Sequence, residues 1–134
     1  MIVVDTNIIA YLYLESERSS QVEQLLKDNT QWVAPILWRS EFRNVLALYL
    51  RKRHLSVDQA QAVMREALSL MQGQEYDIVS SRVLELVASS DCSAYDCEFV
   101  ALAEDLGIPL VTADKRILRE FSDIAVSLEG FTGN

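Results

Sequence analysis

The sequence predicts an α/β fold in which a parallel sheet of four to five strands carries helices on both faces. Short apolar segments alternate with helical patterns along the 134 residues, a length that suits one domain. The first apolar segment is uninterrupted, as is typical of a central strand that is buried on both faces. Strands and helices that alternate in this way form doubly wound sheets through right-handed crossovers. We therefore expect a single domain over residues 1–134, without repeats or linkers.

The predicted strands are short and mostly apolar. Ile2–Val4 is placed at the centre because its apolar run is uninterrupted, and Pro35 ends the second strand. The last segment is the weakest of the five and is placed at an edge of the sheet. In chain order the strands are Ile2–Val4, Gln31–Ala34, Tyr76–Val79, Ile108–Thr112 and Ala125–Ser127.

Seven helices are predicted between and after these strands. Capping residues at 5–7 precede the first helix, and apolar residues at helical spacing mark the long third helix. Gly73 and Gly107 are expected to stop the fourth and sixth helices. In chain order the helices are Ile8–Leu14, one that opens at Ser19 and Ser20, Ile36–Arg53, Ser56–Met71, Ser81–Ser89, Ser93–Leu106 and Asp114–Phe121.

The composition excludes several classes of protein. With 20 acidic and 12 basic residues the net charge is −8, which argues against a generic basic nucleic-acid binder. One histidine and two cysteines are too few for a zinc site of four Cys and His ligands or for a disulfide framework. The four glycines form neither a phosphate-binding loop nor a nucleophile elbow. We see no targeting segment and no membrane span, and we expect a cytoplasmic protein.

Two carboxylates follow strands of the predicted sheet. Asp5 comes directly after the central strand, and Asp114 comes two residues after the strand that ends at Thr112. Ligands of open parallel sheets bind outside the carboxyl ends of the strands, where both acids are expected. The alternative is that each acid only caps the helix that follows it.

Two further carboxylates lie on the apolar sides of predicted helices. Glu41 shares a face with Trp38 and Val45, where an unpaired charge is costly. The alternatives are a salt bridge of Glu41 with a neighbouring arginine, Arg39 or Arg43, or a place at the edge of the apolar stripe. Asp96 lies in the first turn of its helix, where it could instead complete a capping box with Ser93.

The four carboxylates are expected at one end of the sheet, where they would repel one another. A divalent cation removes this repulsion, and oxygen ligands without His or Cys suit Mg²⁺ or Mn²⁺. Such ions bind substrate phosphates and activate water. The residues by themselves therefore indicate a metal-dependent phosphoester hydrolase.

Three segments carry a resemblance to a known family. They read IVVDTNIIAYL at the start, APILWRSEFRNVL around Glu41, and SAYDCEFVALAEDLGIPLVTADKRIL around Asp96 and Asp114. In order and spacing they resemble the PIN-domain ribonucleases, and among these the VapC-type toxins of bacterial toxin–antitoxin pairs. The resemblance extends from Met1 to about Ser127, and it departs from the family where Cys97 replaces a frequent alanine.

The resemblance implies a single PIN-like domain and an endoribonuclease that cleaves RNA phosphodiester bonds with metal-activated water. It also implies one or two Mg²⁺ or Mn²⁺ ions, a protein antitoxin that blocks the site, and a homodimer. The residues that match catalytic and metal-binding positions of the family are Asp5, Glu41, Asp96 and Asp114. Asn7 and Thr112 match positions that line the site.

The basic residues are unevenly distributed, and eight of the 12 lie near two of the motifs. Lys115, Arg116 and Arg43 are candidates for phosphate contacts. The run from Arg51 to Arg53 is interpreted as a set of partners for the helix C-terminal dipole. Tyr11–Leu14 is expected either to pack in the core or to line a groove for an antitoxin segment.

Other functions remain open from the sequence. A PIN-like nuclease outside a toxin–antitoxin pair would carry the same motifs. A phosphatase of the haloacid-dehalogenase type also begins with a strand and an Asp, but it needs an acid where this chain has Asn7. A receiver-type signalling domain would need an Asp directly after the middle strand, where this chain has Ser80 and Ser81. A non-catalytic binding module would not need four acids.

Overall fold

A five-stranded parallel sheet forms the centre of the computed structural model, which describes residues 1–132. Its strand order is β3-β2-β1-β4-β5, and every neighbouring pair is parallel. The strands are β1 (Ile2–Val4), β2 (Trp32–Pro35), β3 (Glu75–Tyr76), β4 (Leu110–Val111) and β5 (Ala125–Val126). The uninterrupted apolar run at the start is the central strand and is buried along its whole length, as predicted.

Helices cover both faces of the sheet. The chain moves outward from β1 through β2 to β3, and then crosses back to β4 and β5. With right-handed crossovers, the first four helices lie on one face and the next three on the other. In chain order they are α1 (Thr6–Tyr13), α2 (Ser19–Asp28), α3 (Trp38–Arg51), α4 (Val57–Leu70), α5 (Ser80–Ala88), α6 (Ala94–Leu106) and α7 (Lys115–Glu120), followed by α8 (Leu128–Phe131). The predicted α/β fold class is confirmed.

The core lies between the sheet and these helix layers. Helix α6 packs against β1, β2 and β4, and α1 to α4 pack against one another. The largest side chains that are fully buried include Trp32, Trp38, Phe42 and Phe99. The two tryptophans are thus core residues. Gly107 closes α6 in the left-handed conformation, with a φ of 66°, which glycine adopts without steric cost.

A crevice forms where the order in which strands are added to the sheet reverses, between β1 and β4. Strands β1 and β4 are neighbours, although most of the chain separates them in sequence. The connection after β1 leads to one side of the sheet and the connection after β4 to the other. Ligands of doubly wound sheets bind outside the carboxyl ends of two such strands. Asp5 follows β1 at this point, and Thr112 follows β4.

Several predicted bounds were wrong in detail. The strand predicted at Tyr76–Val79 is the two-residue β3, because only Glu75 and Tyr76 pair with β2 and residues 77–79 lead into α5. Helix α3 begins at Trp38 and not at Ile36, and β4 covers only two of the five predicted residues. Helix α8 was not predicted. None of the helices within residues 1–132 is long and apolar enough to cross a membrane.

Candidate active site

Asp5 is the most deeply buried of the candidate carboxylates, with 7% of its surface exposed. It caps α1, since its Oδ1 accepts the backbone N–H of Thr6 at 2.8 Å. Its Oδ2 accepts the hydroxyl of Thr112 at 2.6 Å and the side-chain amide of Asn7 at 3.3 Å. The capping alternative is therefore correct for one oxygen. The other oxygen is held across the crevice by the residue that follows β4.

Glu41 is joined to the start of α1 by a single hydrogen bond. The hydroxyl of Thr6 donates to its Oε1 at 2.7 Å. The alternative of a salt bridge with a neighbouring arginine is wrong, because Arg39 pairs with Glu75 at 2.6 Å and Arg43 donates to the hydroxyl of Ser40. Glu41 is half-buried beside the fully buried Trp38 and Phe42, so it lies at the edge of the apolar stripe of α3. No cation neutralises its carboxylate among the described residues.

Asp96 and Asp114 approach the crevice from the first turn of α6 and from the start of α7. Ser93 caps α6, and its hydroxyl accepts the N–H of Asp96 at 3.1 Å. Asp114 caps α7, since its Oδ1 accepts the N–H groups of Arg116 and Ile117 at 2.8 and 3.0 Å. Capping thus occupies one oxygen of Asp114. Its own N–H donates to the hydroxyl of Thr112, which links this acid to Asp5.

Burial and mutual repulsion raise the pKa of Asp5 to about 6 from 3.8. Desolvation is the main cause, and the charges of Glu41 and Asp96 add to it. The hydrogen bonds from Thr112 and Thr6 act in the opposite direction, because they stabilise the ionised form. This pKa therefore marks a carboxylate that is deprived of water and has no counter-charge.

The other acids of the site are coupled in the same way. Desolvation raises the pKa of Glu41, and the charge of Asp96 raises it further. Desolvation and the charge of Asp114 raise the pKa of Asp96, while hydrogen bonds from Ser93 and the charge of Arg116 lower it. The structure therefore brings the four predicted acids into one electrostatically coupled group.

The remaining predicted residues differ in whether they contact this group of acids. Asn7 and Thr112 line it, since the side chains of both donate hydrogen bonds to Oδ2 of Asp5. Asn7 also accepts the N–H of Ala113 at 3.3 Å. The guanidinium of Arg116 lies close enough to influence Asp96 and donates to the carbonyl of Asp91 at 3.4 Å. Lys115 and Arg43 are exposed, and within residues 1–132 no hydrogen bond or ion pair joins either of them to the acids.

Two residues of the site were missed from the sequence. Thr6 was interpreted only as part of a capping cluster, yet its hydroxyl fixes Glu41. Glu98 is half-buried, and the charge of Glu41 contributes to its raised pKa, after desolvation. Because Glu98 lies only two residues after Asp96, helical spacing does not place the two on one face, and no sequence signal marked it.

The donor set fits a hydrated, oxygen-preferring cation. The candidate ligands are carboxylates, and the repulsion among them is what a divalent ion relieves. Within residues 1–132 no three acidic, His or Cys side chains already enclose a metal position. Mg²⁺ keeps several of its waters and needs only one or two protein carboxylates together with substrate phosphate. The site is therefore compatible with Mg²⁺, and unsuited to ions that require His or Cys ligands.

The fold and the site together define an α/β protein with a cluster of acids outside the carboxyl ends of its parallel strands. The sequence model of the PIN domain matches residues 2–125, so this chain belongs to the PIN-domain family. The resemblance seen in the sequence is confirmed.

Individual proteins are similar to this chain in sequence or in fold. The chain is 29% identical over 123 residues to Ribonuclease VapC3 of Pyrobaculum aerophilum, a match that covers 90% of this chain and 94% of that protein. The crystal structure of FitAcB from Neisseria gonorrhoeae superimposes with a TM-score of 0.74 at 18% identity, over 95% of this chain and 96% of that chain. A toxin–antitoxin complex from Klebsiella pneumoniae gives 0.68 at 21% identity, over 96% and 98%.

Proposed function

We propose that this protein is a metal-dependent endoribonuclease and acts in the cytoplasm as the toxin of a type II toxin–antitoxin pair. The observation that carries the proposal is the coupled group of acids at the switch between β1 and β4, centred on the buried Asp5. Membership of the PIN-domain family and the similarity to Ribonuclease VapC3 support RNA as the substrate. The family membership also disfavours the haloacid-dehalogenase alternative.

Asp5, Glu41, Asp96 and Asp114 are the proposed catalytic, metal-binding residues, and the ion is Mg²⁺ or Mn²⁺, in one or two copies. PIN-domain nucleases generally use divalent ions. When bound, such an ion lowers the pKa of water and neutralises charge on the phosphate. The chain itself prepares the site, since Thr112 and Asn7 orient Asp5 and Thr6 orients Glu41.

The reaction is hydrolysis of a phosphodiester bond. A water oxygen attacks phosphorus, and the bond between phosphorus and the leaving oxygen breaks. Glu41 is positioned to hold metal or to orient the water, because its second oxygen makes no hydrogen bond within the described residues. Arg116, and then Lys115 and Arg43, are proposed to contact substrate phosphates, a role for which exposed cations are suited.

Cleavage of single-stranded RNA by the purified chain tests this proposal. We expect activity with Mg²⁺ or Mn²⁺, none with a chelator, and a loss of at least about 100-fold in Asp5→Asn, since bound metal supplies several kcal/mol of transition-state stabilisation. Asp28→Asn, an exposed acid at the end of α2, is the matched control and should keep wild-type activity. Cleavage that survives the chelator or Asp5→Asn would refute the mechanism.

The toxin role has its own test, because a PIN nuclease outside a toxin–antitoxin pair would pass the cleavage assay. We expect expression of this chain to arrest growth, and coexpression with a small protein encoded directly upstream to restore it. The similarity to a solved toxin–antitoxin complex supports this expectation. A chain that cleaves RNA but has no such neighbour would be a nuclease with another role.

A homodimer is proposed through exposed apolar residues beside the site. Ile36 follows β2, Val79 precedes α5, and Leu84 lies on α5 with 64% of its surface exposed. Ile36 and Leu84 also line a cavity of about 470 Å³ together with Glu98. Leu84→Glu should convert a dimer to a monomer in light scattering, whereas Val57→Glu, at an exposed apolar residue of α4, should not.

A further inference from the structure

A cavity of about 470 Å³ adjoins the group of acids on the side of α5. Its walls are largely apolar, with Ile36, Ile78 and Val83 among them, and Glu98 lines it from α6. Glu98 also lies close enough to Glu41 for the two charges to interact. Volumes of about 300–1,000 Å³ are typical of ligand sites. The cavity is therefore large enough for a ligand and lies next to the acids at which substrate phosphate is proposed to bind.

The carboxylate of Glu98 is half-buried at this cavity and has no partner. Within residues 1–132 it accepts no hydrogen bond and forms no ion pair. The cation of α5, Arg82, is held instead by Glu104 and Glu85. Polar groups that lose water on folding are normally hydrogen-bonded, and an ionised carboxylate offers only acceptors. The two oxygens of Glu98 are therefore available to the N–H groups of a ligand.

The polar groups around the cavity match one edge of one base. Glu98 and Asp77 supply acceptors, and the hydroxyl of Ser80 can donate. Guanine alone carries two adjacent donors, N1–H and the N2 amine, on its Watson–Crick edge, with the acceptor O6 beside them. Adenine, cytosine and uracil each place an acceptor next to their single donor group, and that acceptor would face a carboxylate oxygen. Bases of single-stranded RNA are commonly recognised on this edge.

The negative charge of the cavity is compatible with a base and not with a phosphate. A base is neutral, whereas the acids repel the backbone of the strand. The exposed residues Ile36 and Leu84 at the cavity are those proposed above for the dimer. A second copy would therefore cover the outer rim, and the side toward the acids would stay with the substrate.

We propose that this cavity is a base subsite, in which Glu98 accepts hydrogen bonds from N1–H and the N2 amine of a guanine next to the scissile phosphate. Glu98 is then a specificity-determining residue and not a ligand of the metal. That the guanine belongs to RNA rests on the function proposed above, whereas the preference for guanine rests on the acceptors of this cavity.

Two RNA dodecanucleotides that differ in one amino group test the subsite. One carries a single guanosine among uridines, and the other carries inosine at that position, which lacks the N2 amine. With Mg²⁺ we expect the wild-type chain to cleave the guanosine strand beside this base at least about tenfold faster, because a hydrogen bond to a charged group contributes about that much. This comparison uses the wild-type chain alone and does not depend on the folding of a variant.

Variants assign the preference to Glu98. Glu98→Gln removes the charge and replaces one acceptor by a donor, so the rates for the two strands should come within about twofold of each other. Glu23→Gln is the matched control, since Glu23 is an exposed glutamate of α2 without an ion pair within residues 1–132. It should keep the full preference for guanosine. Circular dichroism shows whether both variants are folded.

Equal rates of the wild-type chain on the two strands would overturn the subsite and leave the proposed nuclease in place. A guanosine preference that survives in Glu98→Gln would overturn the role of Glu98. Equal slowing of both strands in this variant, reversed by added Mg²⁺, would identify Glu98 as a metal ligand and would also overturn it. If the wild-type chain cleaved neither strand, the proposed function would be refuted, and the subsite with it.

Discussion

Replacement of Asp5 by asparagine should change how the stability of the metal-free protein depends on pH. Burial raises the pKa of Asp5 to about 6 in the folded chain, against an ordinary value of 3.8 for an aspartate in water. Between these pH values the folded chain holds a proton that the unfolded chain has lost. The free energy of unfolding therefore falls as pH rises through this window. At about 1.4 kcal/mol per tenfold change in the ionisation constant, the whole fall is about 3 kcal/mol.

Asp5→Asn removes this dependence, because an amide does not ionise. The substitution also disturbs the hydrogen bonds from Thr6, Thr112 and Asn7, at a cost of about 1 kcal/mol that does not vary with pH. The stability difference between variant and wild type should therefore move in favour of the variant by about 2.5 kcal/mol from about pH 4 to about pH 7.5, since part of the fall has already occurred below about pH 4.

Urea unfolding in a chelator, followed by fluorescence of the buried Trp32 and Trp38, measures this difference at each pH. Asp28→Asn serves as the control, since its carboxylate is exposed, and its stability should run parallel to that of the wild type. Parallel profiles for Asp5→Asn and the wild type would show that the Asp5 carboxylate is not destabilised by burial. The argument that this acid needs a counter-charge would then fail.

Three further predictions follow from the same contacts. Thr6→Val removes the hydroxyl that holds Glu41 and should lower the rate of RNA cleavage about tenfold, since residues that orient metal ligands contribute about that much. Circular dichroism should show that the variant remains folded. Arg53→Gly relieves the left-handed strain and should raise the free energy of unfolding by about 0.5–1 kcal/mol in urea titrations. Addition of Mg²⁺ at 100 times its dissociation constant should stabilise the chain by about 2.7 kcal/mol at about pH 7.5. The same Mg²⁺ concentration should stabilise it much less at about pH 5, where Asp5 is protonated, and equal melting shifts at the two pH values would exclude Asp5 as a ligand.

The fold was predictable where the signal was local and strong. Ile2–Val4 has no polar residue, and that is what a central strand requires. The bounds of the third strand were not predictable. The apolar residues Ile78 and Val79 continue the strand-like sequence, but only Glu75 and Tyr76 pair with β2. Helix α8 is four residues long and contains Gly130, so neither helical period nor propensity marks it.

The site was predictable to the extent that the sheet topology dictates it. Asp5 and Asp114 follow neighbouring strands, and parallel strands bring their carboxyl ends together whatever the loops do. The role of Thr6 was hidden, because a threonine after a capping aspartate has a sufficient local explanation. Its contact with Glu41 joins residues 35 apart in sequence, and only the packing of α3 beside α1 creates it.

The acidity of the chain now has two separable parts. Two bound divalent ions would change the net charge from −8 to −4, so part of the excess belongs to the site. The remaining excess of acidic residues repels RNA at a distance. Binding of RNA therefore depends on positive groups close to the site. Arg116 beside the acids is such a group, since its charge acts on Asp96. A strand gains attraction only where it reaches Arg116 and the bound ions, so the charge distribution confines RNA binding to the neighbourhood of the acids.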